Sequence, residues 1–245
     1  MQGTFNPEQI NLLRSFDTCV ISEAIEAFGV RLRNEGFATS GFRCLFKCLS
    51  PMVGYAATCK VRSADPPIVG SRYIERTDWW RHITSITAPR VVVIQDIDEQ
   101  PGTGAFLDKV HAHVLIALGC VGAVTNGAAR ELPGMEAARF QVFAGRLAMS
   151  RAYVHIVEYG GPVEIGCLTI KPGDLIHGDR HGILTVPPGI VDQLPAVASQ
   201  IIEKKNQLIE LSQRRGVSFE ELGEALGDLL DFKANNNRES ERKDE

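Results

Sequence analysis

The residues best suited to chemistry lie in one stretch, Gly119-Cys-Val-Gly-Ala-Val-Thr-Asn-Gly-Ala-Ala-Arg-Glu-Leu-Pro133. A short strand pattern runs into Asn126-Gly127, and Arg130 and Glu131 follow within four residues. Backbone N–H groups left free at such a turn meet anions. The Arg130 guanidinium forks onto a carboxylate or an enolate oxygen. Glu131 offers a hard oxygen to Mg²⁺ or Mn²⁺. The plainer reading is a solvated arginine–glutamate pair behind a turn.

Other candidates carry less. His111 and His113 are two apart on a predicted helix and face different directions, which disfavours a shared metal. Cys44 and Cys48 are four apart, but no second Cys/His pair follows at zinc spacing. Asp174 and Asp179, with His177 and His181 nearby, suit turn and strand-end roles with Asx-type hydrogen bonds. Trp79 and Trp80 read as packing or interface residues.

The elements that must position Arg130 and Glu131 follow from patterning. Asn6, Pro7 and the face Ile10, Leu13, Phe16 predict a first helix; a second covers 18–28, ended by Gly29. Strands are expected over 53–61 and 90–96, the latter a continuous apolar run of the kind buried on both faces. Residues 65–76 read as a loop and 78–86 as a short helix. A glycine-containing loop at 100–105, a helix over 108–118 and a short strand over 122–125 complete an α/β crossover, with functional groups expected at strand ends. Asn126-Gly127 reads as a turn. Later strands are expected over 141–144, 154–157, 163–165, 168–170 and 183–186, with a turn at Gly178-Asp-Arg-His-Gly182. From Pro188 the spacing of Val191, Leu194, Val197, Ala198, Ile201 and Ile202 is helical. A last helix opens on the capping box Ser218-Phe-Glu-Glu221, with Phe219, Leu222, Leu226 and Leu229 on its inner face. Residues 233–245 are polar and charged and read as a disordered tail.

The 245 residues, 44% hydrophobic and 23% charged, suit a globular chain. A net charge of −4 leaves no basic excess for nucleic acid. The opening residues lack a signal-peptide core, and no apolar run approaches the roughly 18 residues of a membrane span, so a cytoplasmic protein is expected.

The string from Gly119 to Glu131 resembles the motif G-x-x-G-x-V-x-D/N-G-x-x-R-D of the family that contains the regulator of ribonuclease activity A and the 4-hydroxy-4-methyl-2-oxoglutarate aldolases. Phe140-Gln-Val-Phe-Ala144 is similar to its F-x-V-F-A element. Pro162-Val163, Leu168-Thr-Ile-Lys-Pro-Gly-Asp174 and Gly178-Asp-Arg-His-Gly182 resemble its later block, and Phe16-Asp-Thr18 with Ile21-Ser-Glu-Ala24 its opening.

The resemblance implies an α/β/β/α sandwich, a swivelling domain, with a C-terminal helical extension. Residues 1–187 would form that domain with its N-terminal helices, and 188–232 the C-terminal helices. It implies a trimer or hexamer whose interfaces complete the sites. It also implies a metal-dependent lyase, an aldolase and oxaloacetate decarboxylase, that cleaves a small 2-oxo acid to pyruvate through an enolate. Arg130 would be the catalytic clamp on enolate and carboxylate. Glu131 would stand at the Mg²⁺ or Mn²⁺ ligand position, and Asp108, Lys109, Val110 and His111 where backbone amides receive the substrate carboxylate. The chain departs from the family pattern with Glu131 for aspartate and with Asp108-Lys109 for glycine and an acid. Those departures motivate the alternative, a non-catalytic regulatory oligomer of the same fold.

Overall fold

The computed structural model describes residues 6–38, 40–67, 76–190 and 192–241. Val191, most of the expected 65–76 loop and the last four residues of the expected tail lie outside them. The helices and strands run in the order α1 (Pro7–Leu13), α2 (Thr18–Ala27), β1 (Arg43–Cys44), β2 (Met52–Arg62), α3 (Arg76–Ser85) and β3 (Arg90–Asp96). There follow β4 (Ala105–Leu107), α4 (Lys109–Ala117), β5 (Cys120–Ala129), α5 (Leu132–Ala137), β6 (Gln141–Leu147) and β7 (His155–Tyr159). The chain closes with β8 (Val163–Ile165), β9 (Leu168–Ile170), β10 (Leu175–Asp179), β11 (Gly182–Val186), α6 (Leu194–Gln213) and α7 (Phe219–Glu241).

The chain divides into two compact units. Residues 36–185 form one, and residues 1–35 with 186–245 the other. The N-terminal helices thus group with the C-terminal ones, whereas the sequence reading attaches them to the sandwich.

The larger unit is a mixed sheet in the order β1-β6-β5-β3-β2-β10-β11, with β4 added to β5 and β7 to β2. Strands β2, β3, β5 and β6 are mutually parallel, so their carboxyl ends share one edge. Period-two alternation sends β3 side chains to both faces. Val92 and Ile94 pack with Trp79, Ile83, Ala112, Leu115 and Met135 of α3, α4 and α5. Val91 and Val93 pack with Val163, Ile165, Leu168 and Ile170 of the β8–β9 hairpin. Helices cover one face and a β-layer the other, the α/β layering expected.

The largest local correction concerns Asn126-Gly127. It is no turn: β5 continues through it to Ala129, with a register shift between Thr125 and Ala128. A bulge there interrupts the ladder to β6, while on the other side the Asn126 side chain carries the pairing with β3 past Thr125. Its Oδ1 accepts from the Asp96 amide at 2.7 Å and its Nδ2 donates to the Asp96 carbonyl at 2.9 Å. Gly127 is required by the close approach, because a Cβ there would sit 3.1 Å from both the Asp96 Cβ and the Thr125 hydroxyl.

Strand β10 takes up Gly178 and Asp179, leaving a shorter turn than expected. The Asx role of Asp179 holds, its carboxylate accepting from the His181 amide at 2.8 Å.

In the smaller unit, Leu194, Val197, Ala198 and Ile201 are buried on α6 as the spacing predicts. The Ser218/Glu221 capping box forms reciprocally, at 2.9 and 3.1 Å. On α7, Leu229 is buried while Phe219 and Leu226 are exposed, so the expected inner face is only partly covered. The helix also passes Lys233 and continues to Glu241, where the composition reads as a tail. Extending an existing helix fixes one residue per new hydrogen bond, which is far less costly than nucleating one.

Candidate active site

The site forms where β5 ends. Beyond Ala129 the Arg130 amide donates to the Leu107 carbonyl of β4 at 3.0 Å, holding the strand end to its neighbour. Glu131 then adopts a left-handed backbone, φ 55° and ψ 41°. That conformation is uncommon outside glycine and asparagine. It turns the chain sharply into α5, whose first turn contains Pro133.

The Arg130 side chain is fixed twice. One terminal nitrogen donates to the Met149 carbonyl at 2.9 Å and the other to the Glu131 carboxylate at 3.1 Å. Its Nε is buried without a hydrogen-bond partner among the described residues, 4.0 Å from Asp108 Oδ2. Arg130 and Glu131 line a cavity of about 380 Å³ together with Ala129, Leu132, Leu147 and Met149.

Asp108 sits behind this cavity with its side chain fully buried. It caps α4 by accepting from the His111 amide at 2.9 Å, and its second oxygen is ion-paired with Arg151. His111 turns inward onto the same carboxylate, Nδ1 to Oδ1 at 3.0 Å. Its Nε2 lies 3.0 Å from Arg76 Nη1. A guanidinium only donates, so Nε2 accepts and Nδ1 carries the proton that reaches Asp108. His111 is therefore the neutral tautomer. Burial pushes its pKa down, as do the Arg76 and Arg151 charges, against the pull of Asp108. Burial alone would raise the Asp108 carboxyl, but the two His111 hydrogen bonds and the nearby Arg151 charge hold it below the ordinary carboxylate range.

The sequence candidates thus separate. Arg130 and Glu131 share the cavity, and Asp108 approaches Arg130 from behind. Lys109 and Val110 are exposed at the start of α4, where the first amides of a helix lack intrahelical acceptors. The Lys109 stem packs over Gly134. His111 offers no free amide, since Asp108 occupies it. Arg76 and Arg151 escaped the sequence reading. Arg151 lies 43 residues from Asp108, and nothing local marks it as a partner.

A divalent ion here would meet one accessible carboxylate, Glu131. Asp108 is committed to His111 and Arg151, and no group of three metal-type ligands occurs among the described residues. That donor set fits a Mg²⁺ or Mn²⁺ that keeps water and takes its remaining oxygens from a substrate, the usual habit of Mg²⁺. It does not fit a closed protein cage.

A Halalkalibacterium halodurans protein provisionally named 4-hydroxy-4-methyl-2-oxoglutarate aldolase is 30% identical over 102 residues. That match covers 41% of this chain and 46% of the relative, so the chain spans under half of the relative's length. Among solved structures, an uncharacterized protein from Pseudomonas syringae pv. tomato superposes with a TM-score of 0.70 at 19% identity, covering 93% of this chain and 97% of that one. Streptomyces coelicolor RraAS2, described as an unusual member of the RNase ES inhibitor RraA family, gives a TM-score of 0.63 at 19% identity, covering 86% and 99%. At those identities the two structures speak for the fold. The family model described as RraA-like, Aldolase/RraA, matches residues 18–185, more than half of the sequence. The chain belongs to the RraA-like, Aldolase/RraA family.

Proposed function

We propose that the protein is a carbon–carbon lyase that cleaves a small 2-oxo acid and releases pyruvate through an enolate. The observation that carries this reading is Arg130. Its guanidinium is held from two sides at the wall of a small cavity, beside a single accessible carboxylate. A cation positioned before the reaction stabilises charge that develops during it. With oxaloacetate, the C3–C4 bond breaks and releases CO₂. Its electron pair passes through C2 onto the keto oxygen, where Arg130 faces the negative charge. A solvent proton at C3 then completes pyruvate. The amides of Lys109 and Val110 receive the substrate carboxylate at the helix N-terminus. Mg²⁺ or Mn²⁺ held at Glu131 would supply Lewis-acid polarisation of the keto oxygen.

The rim of the cavity is apolar and exposed: Met149 is 94% exposed and Leu147 51%. This supports an oligomer, trimer or hexamer, in which a second copy covers the rim. Sedimentation of the purified chain should give a species larger than one chain; a monomer at micromolar concentration would refute it.

The rival reading is a non-catalytic binding oligomer. It is favoured by Lys109 at the helix start and by an Asp108 carboxylate already taken by His111 and Arg151. Pyruvate formation from 4-hydroxy-4-methyl-2-oxoglutarate and from oxaloacetate decides between them, measured with Mg²⁺, Mn²⁺ or EDTA against a metal-only control. Turnover above that control, lost in Arg130→Ala, is the expected result. Equal turnover in Arg130→Ala would sink the assignment, and no turnover on either substrate would favour the binding role.

A further inference from the structure

A second, larger cavity of about 650 Å³ opens in the same unit, at the carboxyl ends of the parallel strands β3, β5 and β6. In parallel sheets this is the edge where ligands bind. Gln95, Asn126 and Arg146 line it from those three strands, Arg43 from β1 and Glu164 from the β8–β9 hairpin. It is distinct from the Arg130 cavity. Arg146 borders it, whereas the next residue of β6, Leu147, borders the other. Consecutive strand residues point to opposite faces, so the end of β6 separates the two spaces.

Neither the Arg43 nor the Arg146 guanidinium makes an ion pair or hydrogen bond among the described residues, and the Glu164 carboxylate likewise makes none. All three border one space without pairing with each other. The Arg146 stem is nonetheless packed against the fold. It lies across Gly102, where an added Cβ would come within 3.0 Å of its Cδ. Gly102 is anchored in turn by its amide to the buried Asp96 at 2.8 Å. The Gln95 side chain is oriented by accepting from the Glu164 amide at 3.1 Å, which leaves its NH₂ to donate into the cavity.

We propose that this cavity binds a small hydroxylated anion, a sugar acid or sugar phosphate in chemical class. Two guanidiniums take the carboxylate or phosphate head, the geometry they match best. Glu164 accepts from a hydroxyl and disfavours an anion that lacks a donor to offer it. Gln95 donates to a second oxygen, and Phe42 forms an apolar wall for the carbon skeleton. The volume lies within the roughly 300–1,000 Å³ typical of small-molecule sites.

The test is titration calorimetry of the full chain with gluconate and with glucose 6-phosphate, and with glucose and hexanoate as probes lacking the anion or the hydroxyls. We expect at least one hydroxylated anion to bind, and glucose and hexanoate to bind at least about tenfold more weakly. The Arg43→Ala/Arg146→Ala double variant should lose about tenfold or more in affinity, while Arg130→Ala binds like the parent. Both replaced residues are exposed, so a thermal melt matching the parent establishes that the double variant is folded. Which probe binds separates carboxylate from phosphate. The proposal is overturned if neither anion binds at millimolar concentration, if hexanoate binds as well as gluconate, or if binding survives the double variant. Loss of binding in Arg130→Ala would also overturn it, by moving the ligand to the other cavity.

Discussion

Two cavities flank the end of β6, and they hold their charges in opposite ways. Around Arg130 the ionic side chains of Arg130, Glu131, Asp108, Arg151 and His111 are tied to one another. Arg130 is bonded to Glu131 and Met149, and Arg151 and His111 to the buried Asp108. Across the strand, Arg43, Arg146 and Glu164 border their cavity with no such ties among the described residues. Groups fixed by the protein before a substrate arrives need no reorganisation as charge develops, which is the demand of catalysis. Groups left unpaired keep their hydrogen-bonding capacity for an arriving ligand, which is the demand of binding. The same strand end thus serves a wired site and an open one.

The comparison breaks first at Arg130. If the wired cavity is catalytic, Arg130→Ala should lower turnover by about two to three orders of magnitude, the effect of losing one preorganised donor; steady-state pyruvate release measures it. Next comes Asp108, the centre of the wiring. Asp108→Ala removes a helix cap and leaves Arg151 and His111 without their acceptor, so chemical denaturation should show a loss of about 2–4 kcal/mol. The corresponding loss in the open cavity is smaller. Arg43→Ala/Arg146→Ala should leave the denaturation midpoint unchanged and affect ligand affinity alone, by about tenfold. A midpoint shift as large as that of Asp108→Ala would erase the distinction between the two sites.

The smallest effect is a pH slope. The folded pKa of His111 lies below its ordinary value of 6.5. As pH falls through that value the unfolded chain takes up a proton that the folded chain refuses, so stability declines until the folded value is reached. Asp108 acts lower on the scale. Its folded pKa is below 3.8, so its contribution is present above that value and lost as pH falls through the folded one. His111→Gln should flatten stability against pH below 6.5 while leaving the steeper acid limb. An unchanged slope in that variant would contradict the neutral tautomer.

Much of this was legible in the chain. The apolar run of β3 announced a strand buried on both faces, Ser218 and Glu221 announced a cap, and Asp108 stood where a helix had to begin. Arg130 and Glu131 were legible as candidates because their types and adjacency suit anion and metal chemistry. Asn126-Gly127 misled, because the dipeptide that favours a tight turn also suits a bulge, where asparagine bonds the backbone of the neighbouring strand and glycine admits close side chains. Arg151 and Arg76 carried no signal, since their roles depend on which distant acid or imidazole they meet.

The sequence by itself determined the local structure and the stock of reactive groups, because hydrophobic period, caps and side-chain chemistry act over a few residues. It also determined the family, through motifs spread from Phe16 to Gly182 in order. Only the tertiary structure decided that Asp108 faces inward to hold Arg151 and His111, and that Arg43, Arg146 and Glu164 border one space. Those outcomes depend on which strands lie side by side and on which face each side chain emerges. Both are set by the packing of the whole sheet, beyond the reach of any short window of residues.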